Sequence, residues 1–406
     1  STLTTAPMLI VILERLHDVY VLVLFVIEPI FQAVQITRAD IIDKTGLSAP
    51  TISRIIDGLL KSGLIIQEEV GESSGGRPPQ IIRFNSKNNY VIGLDIGGTT
   101  LKAVFSNLDG DFIYEIEHQL GDNRDFASVM EESGELINRL IQRAEVEGGQ
   151  IHGIGVAVIG IVNKKSGELV YSPVLGWKNV DIKKALSQYV DLKIRIGNVA
   201  NLIALGELYY GIGARLNNFI CLNLEYGIGS GIIIDRKPFY GANGYSGEIG
   251  HVVVEPGSKR TGKDGISGTL EALSSNYSIL EFVAEQLRKG VESSLIGEVL
   301  SIKKIFKAAE QGDPLAMDVI ENAATYIGYS IDTLVKIFDT QAVVLSGGAG
   351  SESVYFIDSI RNKVNSLSLP LYKNAIPIVD SSFGKEASLM GAFSLILEDI
   401  LQNYTG

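Results

Sequence analysis

The chain has 406 residues and a formal net charge of −12, from 35 basic and 47 acidic side chains. This length predicts two or three domains, and 46% hydrophobic with 20% charged residues argues against intrinsic disorder. The single cysteine, Cys221, excludes an internal disulfide and a zinc site built from several thiolates, and it favours a reducing, cytoplasmic location. The acidic total also argues against a protein that coats nucleic acid non-specifically.

The N-terminal segment, residues 8–35, contains an unbroken apolar run at positions 19–27. A membrane-spanning helix needs about 20 apolar residues, so this run is too short to cross a bilayer. The basic start and small-residue cleavage site of a signal peptide are also missing. We therefore expect a buried helix or a dimer contact here, and no membrane anchor.

The next segment predicts two helices joined by a glycine turn. Residues 37–44 have the pattern of a short amphipathic helix with Thr37 as its N-cap, and Ser48 caps a second helix at residues 49–61. Helical spacing predicts that the second helix buries one apolar stripe, formed by Ile52, Ile55, Ile56, Leu59 and Leu60. Two helices joined by a short glycine turn are typical of the helix-turn-helix, whose second helix enters the major groove of DNA.

Two strands at residues 64–70 and 80–84 extend this unit into a winged helix-turn-helix. Arg77 lies at the wing tip between Gly76 and Pro78, where a guanidinium could reach into a minor groove. The residues that we expect to contact DNA are small, hydroxylated or basic, because these approach closely or bond phosphates and bases. They are Thr37, Arg38, Ser48, Ala49, Thr51, Ser53, Arg54 and Arg77.

Charge is divided unevenly between this head and the rest of the chain. Residues 36–85 hold six basic and six acidic side chains, so the head is neutral and the rest carries the −12. An acidic body would be repelled by DNA, which leaves the head to rely on specific contacts. A small helical domain that contacts protein instead of DNA remains the alternative.

A strand, glycine turn and strand follow a polar linker at residues 85–89, and the same layout returns about 130 residues later, at 219–234. Two such units predict a duplicated fold with a cleft between its halves. Glycines in these turns let backbone N–H groups approach phosphate oxygens, and Asp95 could hold a magnesium ion or its water. The candidate phosphate-binding residues, which the family resemblance described below makes vestigial, are Asp95, Gly97, Gly98, Thr99, Gly227 and Gly229. For either turn alone, a plain β-hairpin is the alternative.

From residue 36 onward, over about nine tenths of its length, the chain resembles the ROK family of repressors and sugar kinases. The motifs are ITRADIIDKTGLSAPTISRIIDGLLKSGLI, LDIGGTT, GIGVAVIGIVN, YSPVLGWKNV, GEIGHVVVEPG and GTLEALSS. Within the family, the chain is similar to the xylose-repressor type of transcription regulator, which carries a winged helix-turn-helix in front. The resemblance implies an α/β fold of actin/hexokinase type with two ribonuclease-H-like lobes. It divides the chain into a head at 1–85, a first lobe at 86–198 plus 383–406, and a second lobe at 199–382.

The resemblance also implies a sugar site between the lobes. Its residues are Gly160, Asn198, Glu248, His251 and Glu271. Carboxylates and amides suit a polyol, because they pair with neighbouring hydroxyls. Without the motifs, His251 would be a satisfied core histidine and Glu271 an ordinary carboxylate at a helix start. Trp177 could stack on a sugar face, but we expect it in the core.

Three departures from the family pattern bear on function. The family's catalytic Asp should follow Asn198, but the chain has Val199, which cannot accept a proton from a sugar hydroxyl. The zinc loop, C-x-C-G-x-x-G-C in the family, corresponds to residues 262–269 and has lost all three thiolates, so other contacts must hold it. Tyr226 replaces a Thr in the second phosphate turn, so we expect weak nucleotide binding or none.

The sequence thus predicts a sugar-responsive repressor with a pseudo-kinase body. Its expected partners are operator DNA, a sugar effector such as xylose or a glucose-like sugar, and further copies of itself in a homodimer or homotetramer. No cofactor and no metal are expected. An active ATP-dependent sugar kinase is the main alternative, and a scaffold that does not bind DNA is the third possibility.

Overall fold

The chain folds into a small head followed by two α/β lobes. The computed structural model describes residues 26–27, 29–30, 36–69, 80–121, 124–347, 353–367, 369 and 376–403. Most of the N-terminal segment and the wing tip with Arg77 therefore lie outside the described residues.

The head contains the predicted helices with the predicted caps. Its elements are β1 (Ile36–Thr37), α1 (Arg38–Thr45), α2 (Ala49–Lys61), β2 (Ile65–Glu69) and β3 (Gln80–Phe84), with the strands in the order β1-β3-β2. The Thr37 hydroxyl accepts from the backbone N–H of Asp40, and the Asp40 carboxylate accepts from Thr37 in return, so α1 begins with a full capping box. The stripe on α2 is buried except for Leu60, which packs at its edge.

The polar segment after the head is packed, contrary to the expectation of a plain linker. Residues Ser86–Asn88 form a short 3₁₀ turn, and Ser86 and Asn89 are buried. The side-chain amides of Asn85 and Asn89 both donate to the backbone carbonyl of Gly63, at 2.9 and 3.2 Å. These polar residues therefore satisfy the carbonyl just beyond the end of α2 and tie the head to the body.

The first lobe is built on a five-stranded sheet in the order β6-β5-β4-β7-β11. Its elements are β4 (Asn89–Ile96), β5 (Thr100–Asn107), β6 (Phe112–Gln119), α3 (Phe126–Glu147), β7 (Gln150–Val158), β8 (Ile161–Val162), β9 (Leu169–Ser172), β10 (Trp177–Val180), α4 (Ile182–Leu186) and β11 (Ile194–Asn198). Trp177 lies in the core of this lobe, as expected. Its indole N–H donates to the carbonyl of Arg124 and its ring packs edge-on against Phe126.

The second lobe repeats this arrangement, with strand order β14-β13-β12-β15-β16. Its strands are β12 (Phe219–Leu224), β13 (Ile228–Ile234), β14 (Lys237–Pro238), β15 (Ala342–Ser346) and β16 (Ile378–Asp380). The helices from residue 199 onward are α5 (Val199–Tyr210), α6 (Leu270–Ser274), α7 (Asn276–Arg288), α8 (Ile302–Glu310), α9 (Pro314–Phe338), α10 (Val354–Leu367) and α11 (Ala387–Asn403). In both sheets three antiparallel strands are followed by two parallel ones. The predicted duplication is therefore confirmed.

Helices α5 and α11 cross in direct backbone contact. A Cβ atom on Gly391 of α11 would lie 2.0 Å from the backbone oxygen of Leu202 in α5. A Cβ on Gly206 of α5 would lie 3.0 Å from the backbone nitrogen of Gly391. Glycine is needed here because two helices can approach this closely only where side chains are missing.

Helix α11 also contributes to the core of the head. Its apolar residues share one buried core with the inner faces of α1 and α2. The residues of α11 in this core are Met390, Phe393, Ile396, Leu397 and Ile400. The described part of the N-terminal apolar run, Val26 and Ile27, is buried in the same core. No helix within the described ranges is both long enough and apolar enough to cross a membrane.

Replacing Gly391 by alanine should destabilise the body, because the new methyl group would overlap the backbone of Leu202. Forcing a methyl group into a filled site costs about 1–3 kcal/mol, which for a chain of this size lowers the melting temperature by about 1–4 °C. Circular-dichroism melts of the full chain measure this change.

The matched control is Gly58→Ala on α2, where the added Cβ meets no atom within 4 Å. Alanine is the better helix former, so this variant should be as stable as the parent or up to about 1 kcal/mol more stable. Equal melting temperatures for the Gly391→Ala variant and the parent would contradict the tight crossing.

Candidate functional site

The first glycine turn links β4 to β5 and carries Asp95 at its start. One carboxylate oxygen of Asp95 accepts a hydrogen bond of 2.6 Å from the Ser388 hydroxyl, and the other is buried without a hydrogen-bond partner in the described structure. Burial raises the pKa of Asp95, while the Ser388 hydrogen bond and the charge of Lys102 oppose the rise. The turn is closed by a hydrogen bond from the N–H of Gly97 to the carbonyl of Thr100. Asp95 is thus a carboxylate with spare acceptor capacity.

The second glycine turn lies against the first. A Cβ on Gly98 would lie 3.8 Å from the ring of Tyr226, so the tyrosine covers the first turn. The glycines of the second turn face protein atoms: a Cβ on Gly227 would lie 2.5 Å from the Glu271 carboxylate, and one on Gly229 would lie 3.1 Å from Ala200. The predicted phosphate residues are therefore brought together, but Gly227 and Gly229 are packed against their own lobe.

Asn198 ends β11 and caps α5. Its side-chain oxygen accepts from the N–H groups of Ala200 and Asn201, at 2.9 and 3.3 Å, and its amide donates to the carbonyl of Gly160 at 2.7 Å. Gly160 has φ +129°, and a Cβ there would lie 2.5 Å from the carbonyl of Tyr171, so only glycine fits. Asn198 and Gly160 are therefore adjacent, and the asparagine already spends most of its hydrogen-bonding capacity on the protein.

Glu248, His251 and Glu271 form the acidic side of the cleft. Nε2 of His251 lies 3.9 Å from a carboxylate oxygen of Glu248, and Glu271 accepts a 3.0 Å hydrogen bond from the N–H of Ile228. Burial raises the pKa of Glu248, with a further rise from Glu271 and a decrease from His251. Burial also raises the pKa of Glu271. The three predicted sugar ligands are therefore close to one another.

The loop that replaces the family's zinc loop is held by hydrogen bonds and cation–π contacts. Nδ1 of His251 bonds the Asp264 carboxylate at 2.7 Å. The ammonium of Lys263 donates to the Tyr226 hydroxyl at 2.6 Å and lies 4.4 and 4.7 Å from the ring centres of Tyr226 and Tyr277. The loop is therefore anchored both to the acidic side of the cleft and to the second turn.

The three positions that carry thiolates in the family do not suit zinc here. Gly262 has no donor atom, and the Thr269 hydroxyl caps α6 by accepting from the N–H of Ala272. The third, Asp264, is bonded to His251. Across the described part of the chain, no group of three or more His, Cys, Asp or Glu side chains is placed to hold a metal ion. These residues do not fit a tetrahedral zinc site.

Glu225 is a site residue that the sequence motifs did not reveal. It opens the second turn, and burial, reinforced by the nearby Asp95 carboxylate, raises its pKa to about 7. The charge of Lys102 opposes the rise. The sequence did show an acidic residue beside Tyr226. However, Glu225 comes near Asp95 only because two turns that are far apart in sequence meet in the fold.

The predicted DNA-contacting residues at α2 lie outside its buried stripe. Ser48, Ala49 and Arg54 are exposed, and Thr51 and Ser53 are half-buried. The remaining two described residues lie at the start of α1: Thr37 is its N-cap, and Arg38 donates to Asp57 at 2.7 Å.

Comparisons with known proteins agree on one family. The model of the ROK family matches residues 91–399. A xylose repressor from Caldicellulosiruptor bescii is 29% identical over 93% of this chain and 96% of its own length. The DNA-binding transcriptional dual regulator NagC from Escherichia coli is 28% identical over 90% of this chain and 89% of its own.

A solved structure extends the similarity to the whole fold. It is a ROK family transcriptional regulator, a homologue of the E. coli MLC protein, and it superposes with a TM-score of 0.83 at 26% identity. The match covers 96% of this chain and 99% of the other. The predicted α/β fold with two lobes is therefore confirmed.

Glu225→Gln should make stability less dependent on pH. A carboxyl whose pKa is about 7 when folded and near 4.5 when unfolded binds its proton more tightly in the folded state. The parent should therefore lose stability as pH rises from about 4.5 to about 7, and the variant should be spared that loss. Its advantage in melting temperature should grow by roughly 2–5 °C between about pH 5 and pH 8.

The control is Glu285→Gln, which removes an exposed carboxylate whose pKa is lowered by its hydrogen bond to Lys289. This variant should gain no stability with rising pH. Parallel melting curves of the Glu225→Gln variant and the parent across this range would show that the Glu225 carboxyl is not perturbed.

Proposed function

Because this chain belongs to the ROK family, we propose that it is a sugar-responsive, DNA-binding regulator of transcription, acting as a repressor of a carbohydrate-utilisation operon in the cytoplasm. The observation that carries the proposal is that head and ROK body share one chain and one continuous core. The similarity to a ROK transcriptional regulator also extends over both parts. A repressor function would explain why a fold of sugar-kinase type is joined to a DNA-binding head.

We propose that α2 enters the major groove through its N-terminal half. Arg54 is exposed there and could bond a guanine, while the hydroxyls of Ser48, Thr51 and Ser53 suit phosphates or base edges. The small side chain of Ala49 permits close approach to DNA at the same end of α2. Thr37 and Arg38 would contact the sugar-phosphate backbone of the DNA, and Arg77 would contact its minor groove. Two heads in a homodimer or homotetramer would read two half-sites.

The proposed sugar lies between the lobes, with Gly160 against its ring. Glu248, Glu271 and Nε2 of His251 would accept hydrogen bonds from its hydroxyls, and the second amide hydrogen of Asn198 would donate one. A site built this way rejects a ligand that lacks those hydroxyls, because buried acceptors would lose their partners. Xylose or a glucose-like sugar fits this chemistry, and the xylose repressor among the relatives supports it.

We also propose that the body is a pseudo-kinase. Val199 begins α5 and is 7% exposed, so an apolar group is packed where the family has its catalytic base. No proton could be taken from a sugar hydroxyl at that point. The relatives named as repressors support a regulator without catalytic activity.

Sugar occupancy would reach the head through two helices. Asn198 belongs to the proposed site and caps α5, α5 crosses α11 at Gly391, and α11 shares a buried core with the head. We propose the division into a head at 1–85, a first lobe at 86–198 plus 383–406, and a second lobe at 199–382, which separates the two sheets. A sugar that prefers one angle between the lobes would then shift the placement of the heads.

The proposal predicts specific binding to DNA from upstream of the chain's own gene, and a change in that affinity when the effector sugar is added. Fluorescence anisotropy with a panel of pentoses and hexoses measures both. Arg54→Ala should weaken binding about 5- to 150-fold, because it removes a base contact. Lys61→Ala, at the other end of α2, is the matched control and should bind like the parent.

Two outcomes would count against this function. Equal affinity for operator and unrelated DNA would favour a scaffold with no role at DNA. Phosphorylation of a sugar by the unmodified chain, measured as ATP consumption in the same samples, would favour a sugar kinase.

Asp264→Asn should weaken sugar binding about 10- to 100-fold, because the carboxylate that orients His251 is lost. Operator affinity without sugar should not change, since the substitution is confined to the loop. Calorimetric titration measures the sugar affinity, and nitrogen NMR of the His251 ring reports whether its Nδ1 hydrogen bond is lost.

Asp358→Asn removes an exposed carboxylate paired with Arg361 and is the control, with unchanged sugar affinity expected. Full sugar affinity in the Asp264→Asn variant would mean that His251 needs no such partner.

A further inference from the structure

Glu225 occupies the junction of three loops. Its backbone N–H donates to the carbonyl of Gly227 at 3.1 Å, and its carbonyl accepts from the N–H of Asn276 at 3.0 Å. A Cβ on Gly347, just after β15, would lie 2.7 Å from Cγ of Glu225. The Glu225 side chain therefore fills the space beside Gly347, and its backbone is fixed on both sides.

A second carboxylate lies close enough to act on Glu225 electrostatically. Asp95 comes from the first turn, and the Asp95 charge acts directly on Glu225. Tyr226 packs the two turns together by covering Gly98. The two turns whose glycines would otherwise receive phosphate oxygens thus present two carboxylates, one from each lobe.

Positive charge near this pair is sparse in the described part of the chain. Lys102 lies beside Asp95 in the β4–β5 ladder and is the cation that acts on both carboxylates. Lys263 is held over the rings of Tyr226 and Tyr277. A phosphate group carries about two negative charges and needs several donors or a cation, so it would meet repulsion here.

The sugar site adjoins this pair. Gly227 is two residues beyond Glu225 and packs directly against the carboxylate of Glu271. In the proposed sugar site, a phosphate on a hydroxyl near Glu271 would approach the turn that carries Glu225. The same holds for the terminal phosphate of a nucleotide lying across the turns.

We propose that Glu225 is a specificity-determining residue that restricts the effector to an uncharged sugar and excludes sugar phosphates and nucleotides. This inference rests on the proposed function, since it names the chemical class of the effector at the same site. It goes further because it assigns the selectivity to one side chain. The Glu225 carboxylate occupies the space between the glycine turns that a phosphate group would otherwise fill. The cleft therefore keeps its packing without binding an anion.

The test compares the parent with Glu225→Gly, Glu225→Gln and Glu225→Asp at pH 8, above the Glu225 pKa of about 7. The anion probes are inorganic pyrophosphate and Mg-ATP, and the sugar probes are glucose and xylose with glucose 6-phosphate and xylose 5-phosphate. Calorimetric titration measures each affinity. A circular-dichroism spectrum equal to that of the parent shows that each variant is folded.

The parent and Glu225→Asp should bind pyrophosphate at least about 10-fold more weakly than Glu225→Gly and Glu225→Gln, because charge and not volume is the barrier. The parent should also bind a neutral sugar on the order of 100-fold more tightly than its phosphate. Pyrophosphate affinity that is equal in all four proteins would overturn the assignment of selectivity to Glu225. A parent that prefers the sugar phosphate would overturn the effector class.

The two proposals fail in different ways. The pyrophosphate comparison needs no sugar response, so it decides the role of Glu225 even if no sugar in the panel binds. Absence of any sugar effect on operator affinity would instead count against the regulatory function. Glu225→Gln keeps the size of the side chain, so it decides the question if Glu225→Gly does not fold.

Discussion

The backbone contact between α5 and α11 is the constraint on which the rest of the structure depends. Gly391 lets the two helices touch, and this places α5 between the sheet of the second lobe and α11. The other face of α11 is then free to share a core with the head. A wider crossing would separate the lobes from each other and change the position of the head. The glycines at this crossing therefore influence both the cleft and the position of the head.

Both ends of α5 are anchored, which makes it suited to carry a movement from the cleft to the head. Asn198 ties its start to Gly160 of the first lobe. Near its other end Glu207 is fully buried, and its carboxylate accepts from the hydroxyls of Ser381 and Ser382, which lie just before α11. A helix pinned at both ends moves as a unit, so a change at the proposed sugar site would shift α11 as well. The coupling needs no flexible linker, and the packed segment after the head provides none.

Local sequence patterns predicted the helices and strands well, but they did not predict contacts between segments that are distant in sequence. The caps of α1 and α2, the core position of Trp177 and the duplicated sheets follow from spacing, composition and repetition. The polar residues 85–89 predicted a linker, because nothing local shows that Asn85 and Asn89 satisfy the carbonyl of Gly63. Glu225 was missed for the same reason, since its partner Asp95 belongs to the other lobe. Family motifs placed Glu248, His251 and Glu271 together, but they gave no hint that Asp264 bonds His251.

The departures from the kinase pattern have one thing in common. Each removes a functional group of the kinases and leaves other contacts that keep the site packed. Val199 fills its position at the start of α5 but offers no base. Asp264 and Lys263 hold the former zinc loop through His251 and Tyr226, so its geometry no longer needs thiolates. Glu225 fills the junction of the phosphate turns with a negative charge of its own. In the proposed pseudo-kinase, the cleft would still close on a polyol but would transfer no phosphoryl group, so the binding energy would remain available to move α5 and α11.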